Sequence, residues 1–199
     1  MPHLPPMNIG LFFGTFNPVH TGHLILAQTV LNETPLEYIW FVVSPQNPFK
    51  QKKNLLGEYD RLRMVELAVE GHDRFRASNI EFALPRPSYT IDTLTHLRER
   101  FVSYRFSLIM GEDNLLHLHK WKNHDAILKY YPIYVYPRGE KVSSLLDTHP
   151  TIYRFEAPLL NISATYLRNC IQTGKSIRYM VPLAVEEYIV MRGLYKKLS

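Results

Sequence analysis

Short apolar runs alternate along the chain with longer stretches in which apolar residues recur at helical spacing. "YIWFVVS" (38–44) is almost entirely apolar, which is typical of a strand buried on both faces. In "SYTIDTLTHLRERF" (88–101), Ile91, Leu94 and Leu97 recur every three residues and favour a helix. The predicted strands cover residues 8–13, 38–44, 74–82, 104–111, 131–138 and 151–158. The predicted helices cover residues 23–32, 59–71, 88–101, 114–130, 163–174 and 182–195.

This alternation predicts an α/β fold with a doubly wound, mostly parallel sheet and a small helical part at the C-terminus, about residues 163–199. Such sheets bind ligands beyond the carboxyl ends of their strands. Four stretches follow predicted strands directly and should therefore gather at one edge. They are "GTFNPVHTGH" (14–23), "SPQNPFK" (44–50), "GEDN" (111–114) and "YPRG" (136–139).

Composition limits the class of protein. The 199 residues, 46% of them hydrophobic and 21% charged, suit one globular α/β domain. We expect an irregular lead-in over residues 1–7 and a single domain over 8–199. No apolar run could cross a bilayer, no secretory signal is visible, and the single cysteine, Cys170, excludes an internal disulfide. A cytoplasmic protein with no membrane partner is expected, and the net charge of +5 favours an anionic partner.

The first turn carries the most informative motif. Gly14 lets a ligand approach the main chain, and the helix that follows directs its free N–H groups towards the strand end. His20 and His23, three residues apart, lie on one side of the first helical turn. A buried structural corner and a metal site are alternatives, although two histidines lack a third metal ligand nearby. The combination favours a cradle for anionic oxygens.

A second motif, "NISATYLRN" (161–169), can also bind an anion. Ser163 is placed to N-cap the next helix, with Thr165 and Arg168 on its first turns. An arginine beside hydroxyls and free amides can bind a phosphate through two hydrogen bonds. An ordinary cap with a solvated arginine is the alternative. The dinucleotide fingerprint G-x-G-x-x-G is absent from the first turn, and no P-loop motif occurs in the chain.

Together these motifs resemble the H-x-G-H nucleotidyltransferase superfamily, and within it the bacterial nicotinate-nucleotide adenylyltransferase family. "PSYTIDTL" (87–94), "GEDNL" (111–115) with Trp121 downstream, "YPRG" and the closing "YIVMRGLY" (188–195) extend the match over nearly the whole chain. The resemblance implies a Rossmann-like fold. It also implies transfer of AMP from ATP to nicotinate mononucleotide, giving deamido-NAD and pyrophosphate in NAD biosynthesis, with Mg²⁺ accompanying ATP.

The resemblance also implies roles for individual residues. Catalytic contacts to the phosphates would come from His20, His23 and Arg168. ATP would be bound by Gly14, Thr15, Phe16, Lys50, Gly111, Asp113, Ser163 and Thr165. The mononucleotide would be bound by Tyr89, Thr90, Trp121 and Arg138. No protein metal site is expected, because the phosphates and water hold the magnesium.

Two other functions account for parts of the sequence. Another H-x-G-H transferase, acting on phosphopantetheine or a phospho-alcohol, would share the first motif, but Trp121 and the length of the match favour a pyridine nucleotide. A domain that binds RNA or DNA would explain the +5 charge and the 13 tyrosines. The chain has no basic stripe with interleaved aromatics and no standard module, so no nucleic-acid partner is expected. A homo-oligomer is compatible with the sequence.

Overall fold

The computed structural model describes residues 5–46, 55–139 and 144–196. Six parallel strands form one sheet in the order β3-β2-β1-β4-β5-β6. The strands are β1 (Met7–Gly14), β2 (Tyr38–Val43), β3 (Phe75–Ser78), β4 (Tyr104–Gly111), β5 (Ile133–Tyr136) and β6 (Ile152–Arg154). The helices are α1 (Thr21–Glu33), α2 (Glu58–Val69), α3 (Thr90–Arg100), α4 (Glu112–Leu116), α5 (His124–Tyr130), α6 (Ala164–Gln172) and α7 (Leu183–Met191).

The order in which strands are added to the sheet reverses at its centre, between β1 and β4. The first three strands run outward from β1 to β3, and the chain then returns to place β4 on the other side of β1. A crevice opens at such a point beyond the carboxyl ends of the central strands, which is where open α/β sheets bind ligands. The predicted doubly wound parallel sheet is confirmed, and the switch point lies where the predicted motifs end their strands.

Two apolar cores, one on each face of the sheet, stabilise this arrangement. One contains Phe41 of β2 with side chains from α1, α2, α6 and α7. The other contains its neighbour Val42 with side chains from α3, α4 and α5. Successive strand residues point to opposite faces, so a strand covered on both sides is apolar throughout. This explains why "YIWFVVS" shows no alternation.

Several elements differ from the sequence prediction. The predicted strands 131–138 and 151–158 are shorter, Ile133–Tyr136 and Ile152–Arg154. The predicted helix 114–130 is three pieces, α4, a 3₁₀ turn at Leu118–Lys120, and α5. It breaks where Trp121 leaves the helical conformation and Asn123 takes a left-handed one, with φ 49°. The predicted strand 74–82 ends at Ser78 and continues as a 3₁₀ turn, Ile80–Ala83. Both breaks border the site described below.

The C-terminal helix is also shorter than the predicted 182–195. It ends at Met191, and Gly193 then takes a left-handed conformation with φ 61°. The N–H groups of Gly193 and Leu194 bond back to the last turn, at Val190 and Ile189. This turn brings Tyr195 back into the protein, where its side chain is buried. No helix in the described part of the chain is long and apolar enough to cross a membrane.

Candidate active site

A cavity of about 970 Å³ opens at the carboxyl edge of the sheet, over the ends of β1 and β4. It brings together thirteen of the fifteen side chains or main-chain segments predicted from the sequence. They are Gly14, Thr15, Phe16, His20, His23, Tyr89, Thr90, Asp113, Trp121, Arg138, Ser163, Thr165 and Arg168. Gly111 ends β4 directly beside the cavity, and Lys50 lies outside the described residues.

The turn after β1 has a strained backbone at Phe16, whose buried ring holds it in place. Phe16 has a left-handed backbone, φ 44°, and its ring is buried. The ring occupies the space beside Gly14, where an added Cβ would lie 2.8 Å from it. A side chain at position 14 would therefore displace the buried ring, and glycine leaves the main chain of this turn open to the cavity.

Arg61, which the sequence analysis did not single out, supports the same turn from below. Its side chain is fully buried, and its guanidinium donates to the carbonyl oxygens of Thr15 (2.7 Å), Ser44 (2.8 Å) and Pro45 (3.2 Å). Its Nε donates to the carbonyl of Leu56 at 3.0 Å. A buried guanidinium is tolerated only when its donors are satisfied. Arg61 thus ties the turn after β1 to both ends of the segment that follows β2.

The two histidine rings lie against each other, tilted by 30°, at the start of α1. His20 is the N-cap residue and His23 the third helical residue, and their ring centroids are 3.7 Å apart. The main-chain N–H of His20 donates to Nδ1 of His23 at 3.2 Å. Because Nδ1 accepts, a neutral His23 carries its proton on Nε2. Gly22 makes room for the pair, since an added Cβ would lie 3.1 Å from Nδ1 of His20.

His20 is neutral near pH 7 in the structure described. Burial, with a further contribution from the positive charge of Arg138, lowers the pKa of His20 from 6.5 to about 4. Its Nδ1 is buried and has no hydrogen-bond partner among the described residues. A neutral imidazole acts on phosphate oxygens as an N–H donor rather than as a fixed charge.

The lowered pKa of His20 predicts a pH-dependent stability. Between pH 6.5 and about 4 the unfolded chain binds a proton at residue 20 that the folded chain excludes, so the free energy of unfolding falls as the pH falls. The loss from this group is at most about 3 kcal/mol at the acid end. In urea unfolding at pH 7, 6 and 5, His20→Gln should show a flatter pH dependence than the wild type. His96→Gln is the control, because His96 is also a partly buried histidine but lies outside the cavity. Parallel curves of unfolding free energy against pH for His20→Gln and the wild type would contradict the prediction.

The second predicted anion site has the expected local geometry. Ser163 is the N-cap of α6, and its hydroxyl accepts from the N–H of Tyr166 at 3.2 Å. The guanidinium of Arg168 donates to the hydroxyl of Thr165 at 3.1 Å. Ser163 and Thr165 are exposed to the cavity, and Arg168 is half-buried beside them. The predicted serine cap is confirmed.

A hydrogen bond across 151 residues joins the two motifs. Arg168 donates to the main-chain carbonyl of Asn17, in the turn after β1, at 2.8 Å. The side-chain Oδ1 of Asn17 accepts from the hydroxyl of Tyr195 at 2.9 Å. Burial raises the pKa of Tyr195 well above its usual value, so this hydroxyl remains a donor. Asn17 lines the cavity, and Tyr195, from the closing motif "YIVMRGLY", supports it from behind.

Charged groups cluster where β4 and β5 end. The Arg138 guanidinium lies 3.6 Å from the carboxylate of Asp113 and donates to the hydroxyl of Tyr136 at 2.9 Å. An added Cβ at Gly111 would lie 2.4 Å from Asp113 and 2.9 Å from Arg138, so glycine lets both approach the strand end. The charges of Asp113 and Arg138 are thus mutually compensated before any ligand binds. The family resemblance implies different substrates for the two residues, and the structure places them side by side.

The far side of the cavity is aromatic. Tyr89 is the N-cap residue of α3, and Trp121 lies in the break between α4 and α5, half-buried. The ammonium of Lys122 lies 5.0 Å from the centre of the Tyr89 ring and bonds to Asp92 of α3 at 2.8 Å. Phe13, the second-last residue of β1, packs against the same core as Tyr89 and Trp121 and also lines the cavity. These rings offer flat apolar surfaces next to the free N–H groups of the start of α3.

A parallel sheet with two helix starts that face one cavity at its switch point fits the arrangement of a nucleotidyltransferase. The chain belongs to the cytidylyltransferase-like family, whose model matches residues 11–170. The resemblance drawn from the motifs is confirmed.

The relatives specify the branch of the family. The chain is 52% identical to a probable nicotinate-nucleotide adenylyltransferase of Cytophaga hutchinsonii, over 95% of this chain and 98% of the relative. It is 50% identical to a protein of the same name from Flavobacterium johnsoniae, over 96% of this chain and all of the relative. A solved structure of Plasmodium falciparum nicotinic acid mononucleotide adenylyltransferase in complex with NaAD is 20% identical. It superposes with a TM-score of 0.79, over 95% of this chain and 97% of that one, and supports the fold.

Proposed function

We propose that this protein transfers AMP from ATP to nicotinate mononucleotide, giving nicotinate adenine dinucleotide and pyrophosphate. One observation carries the proposal. The hydrogen bond from Arg168 to Asn17 holds the α6 motif against the turn after β1, so that two phosphate-binding elements face one cavity. The relatives named nicotinate-nucleotide adenylyltransferase, at about half identity over nearly the full chain, support the same reaction.

The chemistry needs no strong base. An oxygen of the mononucleotide 5′-phosphate, already an anion at neutral pH, attacks the α-phosphorus of ATP, and the bond to the β-phosphate oxygen breaks. Pyrophosphate leaves with that bond's electron pair. Catalysis then depends on alignment of the two substrates and on donors that stabilise the charge developing on the phosphate oxygens. The cavity supplies this donor set.

We assign these donors to the triphosphate. His23 presents Nε2–H and His20 an imidazole edge, beside the main-chain groups of Gly14 and Thr15. On the opposite side, Arg168 is oriented by Asn17 and Thr165 and binds the β- and γ-phosphates together with Ser163. Because these donors are held by contacts within the protein, they require little rearrangement when the substrate binds.

Magnesium enters this proposal as part of the substrate MgATP. It neutralises charge on the triphosphate and is held by phosphate oxygens and water. The side chains that face the triphosphate are imidazoles, hydroxyls and a guanidinium, which suit phosphate oxygens rather than Mg²⁺. Asp113, near the strand end of β4, is assigned to a ribose hydroxyl of the adenosine. A cytoplasmic location, where ATP is available, fits the single reduced cysteine.

The aromatic side of the cavity is assigned to the pyridine nucleotide. Trp121 provides a surface on which the pyridine ring can stack, and Tyr89 and Thr90 lie where the α3 N-terminus presents unpaired N–H groups. These N–H groups and the helix dipole favour a carboxylate over a neutral amide. Arg138 is assigned to the mononucleotide phosphate.

The test is a comparison of acceptors. With MgATP, the protein should form the dinucleotide and pyrophosphate from nicotinate mononucleotide. The kcat/KM for nicotinamide mononucleotide should be lower by about 100-fold or more, because the donors of a site built for an anion are poorly matched with a neutral amide. Phosphopantetheine and a phospho-alcohol, with ATP or CTP, complete the panel. Absence of product from nicotinate mononucleotide, or a higher rate with another acceptor, would contradict the proposed function.

A further inference from the structure

Glu81 is a buried carboxyl that the proposed reaction does not use. It lies in the 3₁₀ turn after β3, and only 1% of its side chain is exposed. Its Oε1 accepts a hydrogen bond from the hydroxyl of Thr93 at 2.8 Å. A buried carboxyl costs free energy unless its surroundings satisfy it, so such a group is retained only for a specific role.

Two further hydroxyls face this carboxyl from separate segments. Burial raises the pKa of Glu81, while the hydroxyls of Thr93, Ser44 and Ser88 act in the opposite direction. Oε2 of Glu81 and the hydroxyl of Ser88 are buried without a well-formed hydrogen bond to any described residue. The carboxyl therefore lies between the end of β2, at Ser44, and residues 88–93 at the start of α3.

Each of these segments forms part of the cavity. Ser44 follows β2, and its N–H bonds to the carbonyl of Gly14 at 2.9 Å, in the turn that precedes the histidines. Ser88 directly precedes Tyr89, the N-cap of α3. Thr93 lies in the first turn of α3, where its N–H bonds to the carbonyl of Tyr89 at 3.2 Å. The hydrogen bond from Thr93 thus anchors Glu81 to the start of α3, close to the end of β2.

We propose that Glu81 is a positioning residue for the mononucleotide: through its hydrogen bond from the hydroxyl of Thr93 it fixes the Ser88–Thr90 turn at the start of α3. This inference rests on the proposed function, which assigns Tyr89 and Thr90 to the mononucleotide. Glu81 is assigned no substrate contact, because its side chain is buried and its Oε1 is bonded to Thr93. Its influence is confined to one side of the cavity, because the α6 motif that is assigned to the β- and γ-phosphates has its own support, from Asn17.

The test separates the two substrates. In Glu81→Leu, KM for nicotinate mononucleotide should rise about tenfold or more, because small displacements of a binding turn are costly, while KM for MgATP changes less than about threefold. Glu81→Gln retains the acceptor for Thr93 and adds a donor for the serines. It should restore the mononucleotide KM to within about threefold of the wild type.

A second variant protects the test against misfolding. Thr93→Val removes the hydroxyl that binds Oε1 and should raise the same KM selectively, so it decides the question if Glu81→Leu does not fold. Ile189→Val, a buried substitution on α7 away from this turn, controls for a general loss of stability. Equal changes in both KM values, or no change in either, would overturn the inference. If the wild-type protein does not turn over nicotinate mononucleotide, the proposed function fails instead.

Discussion

Replacing His23 with alanine is expected to lower kcat about 100-fold or more, the effect of losing one preorganised donor to developing charge. Nδ1 of His23 is already engaged by the main-chain N–H of His20, so Nε2 is the atom that donates to a phosphate oxygen. The donor acts on the charge that develops during transfer, so KM for MgATP should change much less than kcat. Steady-state kinetics with nicotinate mononucleotide at saturation measures both quantities.

His96→Ala is the matched control for this variant. His96 is also partly buried on a helix, but it does not line the cavity. Its removal should leave kcat within about twofold of the wild type, as for most substitutions away from a site. Unchanged turnover in His23→Ala would mean that the histidine pair has no catalytic role.

Replacing Arg168 with alanine should have an effect of similar size on kcat/KM for MgATP, a decrease of about 100-fold or more. Arg168 supplies the charge proposed for the β- and γ-phosphates and also holds the α6 motif to the carbonyl of Asn17. Arg168→Lys keeps the charge but not the planar fork that reaches both Asn17 and Thr165. It should recover only part of the loss, to about tenfold below the wild type.

Arg63→Ala controls for the loss of a positive charge. Arg63 pairs with Glu66 on the exposed side of α2, and neither lines the cavity. Such a pair contributes little, so kcat/KM should stay within about twofold. If Arg168→Lys is as active as the wild type, the fork geometry is unimportant; if Arg168→Ala is also fully active, the arginine does not bind the phosphates.

The motifs of the site could be predicted because their chemistry lies in local spacing. His20 and His23 meet because they are three positions apart at a helix start, and Ser163 caps α6 by accepting from the N–H three positions ahead. The parallel sheet followed from apolar runs that alternate with helical ones. Since strand ends gather at one edge of such a sheet, thirteen of the fifteen predicted residues could be placed in one cavity.

The supporting residues could not be predicted in this way. In α2, Arg61 has the sequence of a solvent-exposed charge, yet it is fully buried against four carbonyl groups that belong to other segments. Glu81 was placed in a strand by its apolar neighbours. It lies instead in a 3₁₀ turn and bonds to Thr93 of α3. Both roles depend on partners that only the packed chain brings within hydrogen-bond distance.

The sequence by itself determined the class of fold, the two helix starts proposed to bind phosphate and the family resemblance, because periodicity, capping and short motifs depend on residues within a few positions of one another. The tertiary structure decided what joins them. Arg168 meets Asn17 across 151 residues, and Tyr195 meets Asn17 across 178. It also decided that His20 is neutral, since the pKa of His20 is lowered by burial and by Arg138, which lies at the end of another strand. Burial and long-range charge exist only once the chain has packed.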